Sequence, residues 1–159
     1  MSWKPDITVA AVVEQEGRFL CVEERINGRR VYNQPAGHVE HGEDFLAAVV
    51  RETLEETGWQ FVPEALLGVY SWHAPGSGRS TLRFTFCGQV HGHDPARTLD
   101  VPVIAAHWLT RPQLLEPARP LRTPLVIQCI DDYLSGRRLP LAAVAGAMAP
   151  TPVAAPARR

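Results

Sequence analysis

The sequence has very little lysine and no long apolar run. Lys4 is the only lysine among 159 residues, so nearly all positive charge is arginine. Arginine suits phosphate recognition, but a GC-rich genome produces the same bias, and we favour that explanation. The formal net charge of −1 argues against a mainly electrostatic hold on nucleic acid or on an anionic membrane. No apolar stretch is long enough to span a bilayer. We therefore expect no nucleic-acid partner and no membrane partner.

Cysteines are few and scattered. Cys21, Cys87 and Cys129 form no C-x-x-C pair, which is typical of reduced thiols and not of a disulfide framework or a zinc site. The N-terminal residues lack the apolar run of a signal peptide. The sequence therefore predicts a cytoplasmic protein with one domain over residues 1–141. Residues 142–159, mostly Ala, Pro and Val, are predicted to be a disordered tail.

Apolar periodicity predicts several strands and two helices, which suggests an α/β fold with a mixed sheet. A helix is expected over residues 43–57, because no glycine or proline interrupts that stretch and Gly58 supplies a stop. A loop over residues 35–42 precedes it, and a last helix is expected over residues 123–134. The expected strands are residues 7–13, 19–23, 31–32, 65–72, 81–90 and 103–109.

Three glutamates of the first predicted helix share one face. A rotation of ~100° per residue places Glu55 about −60° and Glu56 about +40° from Glu52. Like charges at these spacings cost about 0.2–0.5 kcal/mol each, and the helix dipole disfavours them in the last turns. A divalent cation would reverse both penalties, and Mg²⁺ prefers such oxygen ligands. The opposite side carries the predicted core stripe, Leu46, Ala47, Val50 and Leu54.

The surroundings of these glutamates favour a functional site over a solvated acidic face, which is the better interpretation of three glutamates alone. Gly37 lies in the preceding loop, and Gly58 ends the helix. Glu43 and Arg51 are eight residues apart, so an ion pair across about two helical turns is expected. Such a pair would hold Arg51 and orient Glu52, although by itself it is only a weak surface contact.

Residues 37–59 resemble the Nudix box of the Nudix hydrolases. The match consists of Gly37, five residues, Glu43, seven residues and then Arg51-Glu52-x-x-Glu55-Glu56-x-Gly58. Trp59 occupies the last position of the box, and Thr53 stands where an aliphatic residue is usual. The resemblance implies the Nudix fold, an α/β/α sandwich with a mixed sheet. It also implies hydrolysis of phosphoanhydride bonds in small molecules.

The same resemblance assigns roles by position. The implied ligands of Mg²⁺, with Mn²⁺ as an alternative ion, are Glu52, Glu55, Glu56 and the carbonyl group of Gly37. Glu43 and Arg51 would form the orienting ion pair. Glu52 is the first candidate for the base that activates the attacking water, and Glu55 is the second.

Segments outside the box resemble the NudJ-type phosphatases of this family. They are residues 7–10, 33–38, 82–84 and 122–126. That group acts on nucleoside tri- and diphosphates and on thiamine-related pyrophosphates, and it releases phosphate. The alternatives are a pyrophosphatase for ADP-ribose, nucleotide sugars or dinucleotides, and a non-catalytic module that senses nucleotides. The oligomeric state is left open between a monomer and a homodimer.

Three polar residues are candidates for substrate contacts. Arg83, in a predicted strand, would grip a phosphate group, or it is an ordinary surface arginine; the two interpretations are equally favoured. Asn33 and Gln34 precede the loop before the helix and would donate or accept hydrogen bonds at a ring. Turn chemistry explains Asn33 equally well.

Two further sets of charged residues are less informative. Many family members carry an acid shortly before the late Trp-containing strand, where this chain has Pro102. Asp100 is the nearest substitute, and its participation is left open. Arg25, Arg29 and Arg30 form a small basic patch near a turn, which we interpret mainly as solvated, with steering of phosphate as the alternative.

Overall fold

The computed structural model describes residues 3–144. The strands are β1 (Asp6–Gln15), β2 (Arg18–Ile26), β3 (Arg29–Asn33), β4 (Ala36–His38), β5 (Gln60–His73), β6 (Ser80–His91) and β7 (Val103–Thr110). The helices are α1 (Phe45–Thr57), α2 (Arg111–Leu114) and α3 (Leu125–Leu134), with a 3₁₀ turn at Leu141–Ala143. From residue 145 onward, the predicted tail lies outside the described residues. Within residues 3–144 no helix is long and apolar enough to cross a membrane.

The sheet is mixed, as the sequence predicts. Its strand order is β3-β2-β1-β6-β5, with β4 paired to β1 and β7 paired to β2. Strands β1 and β6 run parallel, and the other pairs are antiparallel. Because β1 pairs with both β4 and β6, it brings the segment just before α1 next to the middle of the sheet.

Two strand predictions required correction. Strand β5 begins at Gln60 and not at residue 65, because the register shift between Pro63 and Ala65 allows the strand to pass a proline. A bulge on a strand at the end of the sheet is where proline is tolerated. Strand β4 lies inside the predicted loop, since a three-residue strand containing Gly37 gives no periodic signal.

The ends of the helices follow local hydrogen bonds. Asp44 caps α1, and its Oδ1 accepts from the backbone N–H of Ala47 at 2.7 Å. The helix therefore begins two residues later than predicted. Gly58 ends it in the left-handed conformation with φ 73°, and its N–H donates to the Leu54 carbonyl at 2.9 Å. Helix α3 also starts two residues late, because Pro124 takes the N-cap position.

Helix α1 packs on the sheet with a face that includes Glu56, while Glu52 and Glu55 at the edge of this face are half-buried. Its buried residues are Ala48, Val49, Thr53, Glu56 and Thr57. The predicted core stripe is right only in part: Leu46 and Val50 are half-buried and pack against the core, whereas Leu54 is half-buried and Ala47 is exposed. Hydrophobicity alone assigns the bulky residues of α1 to the core. In the structure, small side chains are buried because they allow the helix to approach the sheet closely. The hydroxyl of Thr53, where the box usually has an aliphatic residue, donates to the Val49 carbonyl at 2.7 Å.

Two apolar clusters lie on opposite sides of β1. Val12 belongs to the cluster that contains Cys129 and Ile130 of α3. Val13 belongs to the cluster that contains Val49 of α1. Successive side chains of a strand point to opposite faces, so the sheet is covered by helices on both sides. All three cysteines are free, as the sequence predicts, and all three are buried.

Candidate active site

Arg51 and Glu43 form the ion pair that their spacing predicts. Arg51 Nε donates to Glu43 Oε1 at 2.8 Å, and Nη2 donates to Oε2 at 2.9 Å. Two parallel hydrogen bonds fix the plane of the guanidinium as well as its position. The hydrogen bonds from Arg51 hold the pKa of Glu43 below its ordinary value. This pair attaches the segment before α1 to the middle of the helix.

The remaining nitrogen of Arg51 reaches two further glutamates. Nη1 donates to Glu52 Oε1 at 2.8 Å and to Glu55 Oε2 at 3.0 Å. Nη2 also donates to the carbonyl of His38 at 3.1 Å. Three carboxylates therefore share one arginine, which offsets part of their mutual repulsion. The pKa of Arg51 is raised, chiefly by its hydrogen bond with Glu43.

Gly37 lies directly against the Glu52 carboxylate. A Cβ atom at position 37 would overlap all three carboxylate atoms of Glu52. Pairing of Gly37 with Val9 in β1 holds this backbone in place. A glycine is therefore required here for close approach, and not for an unusual backbone angle.

Glu56 is the buried member of the set. It is 6% exposed, and its Oε2 accepts from the backbone N–H of Ala36 at 2.9 Å. Burial raises its pKa to about 8, with a smaller upward effect from Glu24 and a downward effect from Arg122. Burial also raises the pKa of Glu52, against the opposing effect of Arg51.

The donor set suits a hard divalent cation, although it is not closed around one. Carboxylates and a backbone carbonyl are the oxygen ligands that Mg²⁺ prefers, and the missing Cβ of Gly37 leaves the backbone against Glu52. Within residues 3–144, however, no three His, Cys, Asp or Glu side chains are arranged to hold a metal ion. Glu52 and Glu55 each give one carboxylate oxygen to Arg51. The second oxygen of each carboxylate would be the ligand for an ion, while Glu43 and Arg51 stay paired.

The three predicted substrate contacts lie together. Arg83 Nη1 lies 3.4 Å from both Asn33 Oδ1 and Gln34 Oε1. Gln34 Nε2 donates to the carbonyl of Val126 in α3 at 2.7 Å. The alternative that Arg83 is a surface arginine is wrong, because it is 6% exposed. Its Nε has no hydrogen-bond partner among the described residues, and burial lowers its pKa.

Sequence reasoning missed a second buried ion pair. Glu24, 2% exposed, accepts at Oε2 from Arg122 Nη1 at 3.0 Å. The backbone of Arg122 is fixed by its N–H, which donates to the Tyr32 carbonyl at 2.9 Å, while the Tyr32 N–H donates to Pro120. Strand alternation was the available signal, since Glu24 follows Leu20 and Val22 on one face of β2.

Asp100 lies beside the C-terminal half of α1. Its backbone N–H donates to the Glu55 carbonyl at 3.0 Å, and its charge contributes to the raised pKa of Glu52. The side chain is exposed. This placement keeps Asp100 near the glutamates, and its participation stays a prediction.

Known proteins resemble this chain along most of its length. The family model of the NUDIX domain matches residues 4–129. Phosphatase NudJ of Escherichia coli K12 is 40% identical over 139 residues, which cover 87% of this chain and 90% of that protein. A solved NUDIX hydrolase from Nitrosomonas europaea is 47% identical, with a TM-score of 0.87 over 91% of this chain and 98% of that one. A MutT NUDIX hydrolase from Burkholderia pseudomallei, 22% identical with a TM-score of 0.69 over 82% of this chain and 98% of that one, shows similarity of fold.

Proposed function

Because the chain belongs to the Nudix family and is a hydrolase of pyrophosphate bonds, we propose that it releases orthophosphate from small diphosphates with Mg²⁺. The proposed substrates are nucleoside di- and triphosphates and thiamine-related pyrophosphates. A relative at 40% identity is named a phosphatase, which supports release of orthophosphate over cleavage into two phosphorylated products. A cytoplasmic location stays a prediction.

One observation carries the proposal: the Nudix-box residues meet at one place. Arg51 donates four hydrogen bonds to Glu43, Glu52 and Glu55 and a fifth to the carbonyl of His38, none longer than 3.1 Å. Glu56 is fixed separately by Ala36. Nudix hydrolases generally use divalent metal ions, and we assign the ion to Glu52, Glu55, Glu56 and the Gly37 carbonyl.

The ion and the residues around it would have separate roles in the reaction. A bound divalent cation would supply positive charge that neutralises the charge developing on the phosphoryl oxygens. Glu52 would accept the proton of the attacking water as general base. Glu55 is the second candidate for this role. Arg83, Asn33 and Gln34 would bind substrate.

Phosphate release from a substrate panel tests the proposal. The panel holds ADP, ATP, thiamine pyrophosphate, hydroxymethylpyrimidine pyrophosphate and ADP-ribose, each with Mg²⁺, with EDTA, and with added inorganic pyrophosphatase. We expect Mg²⁺-dependent orthophosphate from at least one substrate other than ADP-ribose. Signal only after pyrophosphatase would indicate release of pyrophosphate, and cleavage of ADP-ribose alone, detected as AMP, would favour the pyrophosphatase alternative. Binding without any turnover would favour the sensing module.

Glu52→Gln tests the assigned base. The variant keeps the side-chain shape but cannot accept the proton, so turnover should fall by on the order of 10²–10⁴. Glu64→Gln is the matched control, since Glu64 is exposed on β5. Circular dichroism establishes that both variants are folded. Near-normal turnover of Glu52→Gln would contradict the role given to Glu52.

A further inference from the structure

A pocket outside the carboxylate set lies beside the turn between β2 and β3. Its volume is about 420 Å³, within the usual range of small-molecule sites. Its lining residues are Ile26, Asn27, Arg29, Val31 and Arg122. The lining therefore combines two arginines, two apolar residues and one asparagine around an open pocket, in which Asn27, Arg29 and Arg122 are exposed. None of the five belongs to the Nudix box.

Strand alternation separates Arg29 from the other arginines of the basic patch. The residue pairs on the pocket face of β2 and β3 are Val22 with Asn33, Glu24 with Val31, and Ile26 with Arg29. Arg25 pairs with Arg30, and cross-strand partners share a face, so these two point the other way. The ion pair of Arg30 with Glu23 at 3.3 Å agrees with this assignment. All three arginines are exposed, so the interpretation of the patch as mainly solvated stays a prediction, and only Arg29 lies on the pocket face.

The pocket face is continuous with the candidate active site. At its inner end, Asn33 lies 3.4 Å from Arg83. In its middle, Glu24 binds Arg122 at 3.0 Å, and both charges act on the Glu56 carboxyl. Arg122 also lines the pocket. A row of side chains thus leads from the metal-ligand candidates to the pocket.

The lining chemistry fits an organic phosphate. Arg29 and Arg122 supply N–H donors for phosphate oxygens, and Arg29 is free of side-chain hydrogen bonds to the rest of residues 3–144. Ile26 and Val31 supply an apolar wall for a ring, with Asn27 at its edge. We propose that this pocket binds the leaving group of the substrate, the organic phosphate beyond the scissile bond. This proposal rests on the proposed phosphatase function.

Two variants and one control test the pocket. Arg29→Gln removes one cation, and Val31→Phe fills space. Arg25→Gln removes an arginine from the same hairpin on the opposite face. We expect the KM for ADP to rise about tenfold in Arg29→Gln, as for loss of one charge-assisted hydrogen bond, with kcat within about twofold. Methyl diphosphate, which has no ring, should lose less in Val31→Phe than ADP does.

A binding measurement separates this proposal from the hydrolase assignment. AMP and thiamine monophosphate, the products, are titrated into the protein by calorimetry in EDTA, where no turnover occurs. Weaker binding in Arg29→Gln, with Arg25→Gln unchanged, supports the pocket even if no diphosphate is hydrolysed. Equal effects of the two arginine variants indicate general electrostatic steering and overturn the proposal. Failure of the wild-type protein to bind either product overturns it as well.

Discussion

Glu56 should make the stability of the metal-free protein depend on pH. Burial raises its pKa from 4.5 to about 8 in the folded state, whereas the unfolded chain leaves it near the ordinary value. The folded protein therefore holds a proton that the unfolded chain releases between these pH values. The stability linked to this proton is fully present below pH 4.5 and is lost as pH rises toward 8.

The size of the effect follows from the two pKa values. At about 1.36 kcal/mol per pH unit, the whole difference corresponds to about 5 kcal/mol of the free energy of unfolding. Between about pH 5 and pH 8, the loss is roughly 3–4 kcal/mol. Glu56→Gln cannot ionise, and its amide oxygen still accepts from Ala36. The variant should therefore be less sensitive to pH by this amount.

Urea unfolding in EDTA at several pH values measures this difference. The free energy of unfolding of the wild-type protein should fall relative to that of Glu56→Gln as pH rises from about 5 to about 8. Glu64→Gln, at an exposed position, should follow the wild type. If the free energies of unfolding of wild type and Glu56→Gln change in parallel, the argument from burial is refuted.

The remaining predictions concern the ion and its surroundings. Mg²⁺ should raise the thermal midpoint more at about pH 8 than at about pH 5, because carboxylate ligands must be deprotonated to bind the ion. Equal shifts of the midpoint at the two pH values would contradict this. Arg51→Lys loses the paired hydrogen bonds to Glu43 and should lower kcat about 10–100-fold in the phosphate-release assay. An unchanged circular dichroism spectrum would show that the variant is folded. Gly37→Ala places a Cβ against Glu52 and should abolish the stabilisation by Mg²⁺ in a thermal melt; a variant that Mg²⁺ stabilises like the wild type would show that the close approach is dispensable.

Much of the fold could be predicted from local signals. Gly58 marks the end of α1 because only a residue free of a Cβ adopts φ 73° without strain. The spacing of Glu43 and Arg51 predicts their ion pair, since two helical turns bring them within reach. Strand β4 could not be predicted, because its pairing with β1 is non-local and Gly37 interrupts any periodic pattern.

The inward direction of Glu56 could not be predicted from hydrophobicity. Carboxylates normally avoid the interior, so a periodicity argument assigns Leu46 and Val50 to the core and Glu56 to solvent. The structure buries Glu56 together with Ala48 and Thr53, and Leu46 and Val50 pack half-buried at the margin of the core. Alternation along β2 indicates that Glu24 is buried, but its pairing with Arg122, 98 residues away, could not be predicted because no local pattern shows which residue approaches it.

The burial of Glu56 argues for an ion more strongly than the box spacing does. Burying a carboxylate with a single backbone donor costs stability near neutral pH, because one hydrogen bond does not replace its hydration. Glu52 and Glu55 reduce their repulsion by sharing Arg51, but Glu56 has no hydrogen bond to that arginine. A helix with only a structural role would gain stability from an apolar residue at this position. A divalent cation beside Glu56 would offset the cost of burial, so the feature that weakens the metal-free fold is the one that a metal site requires.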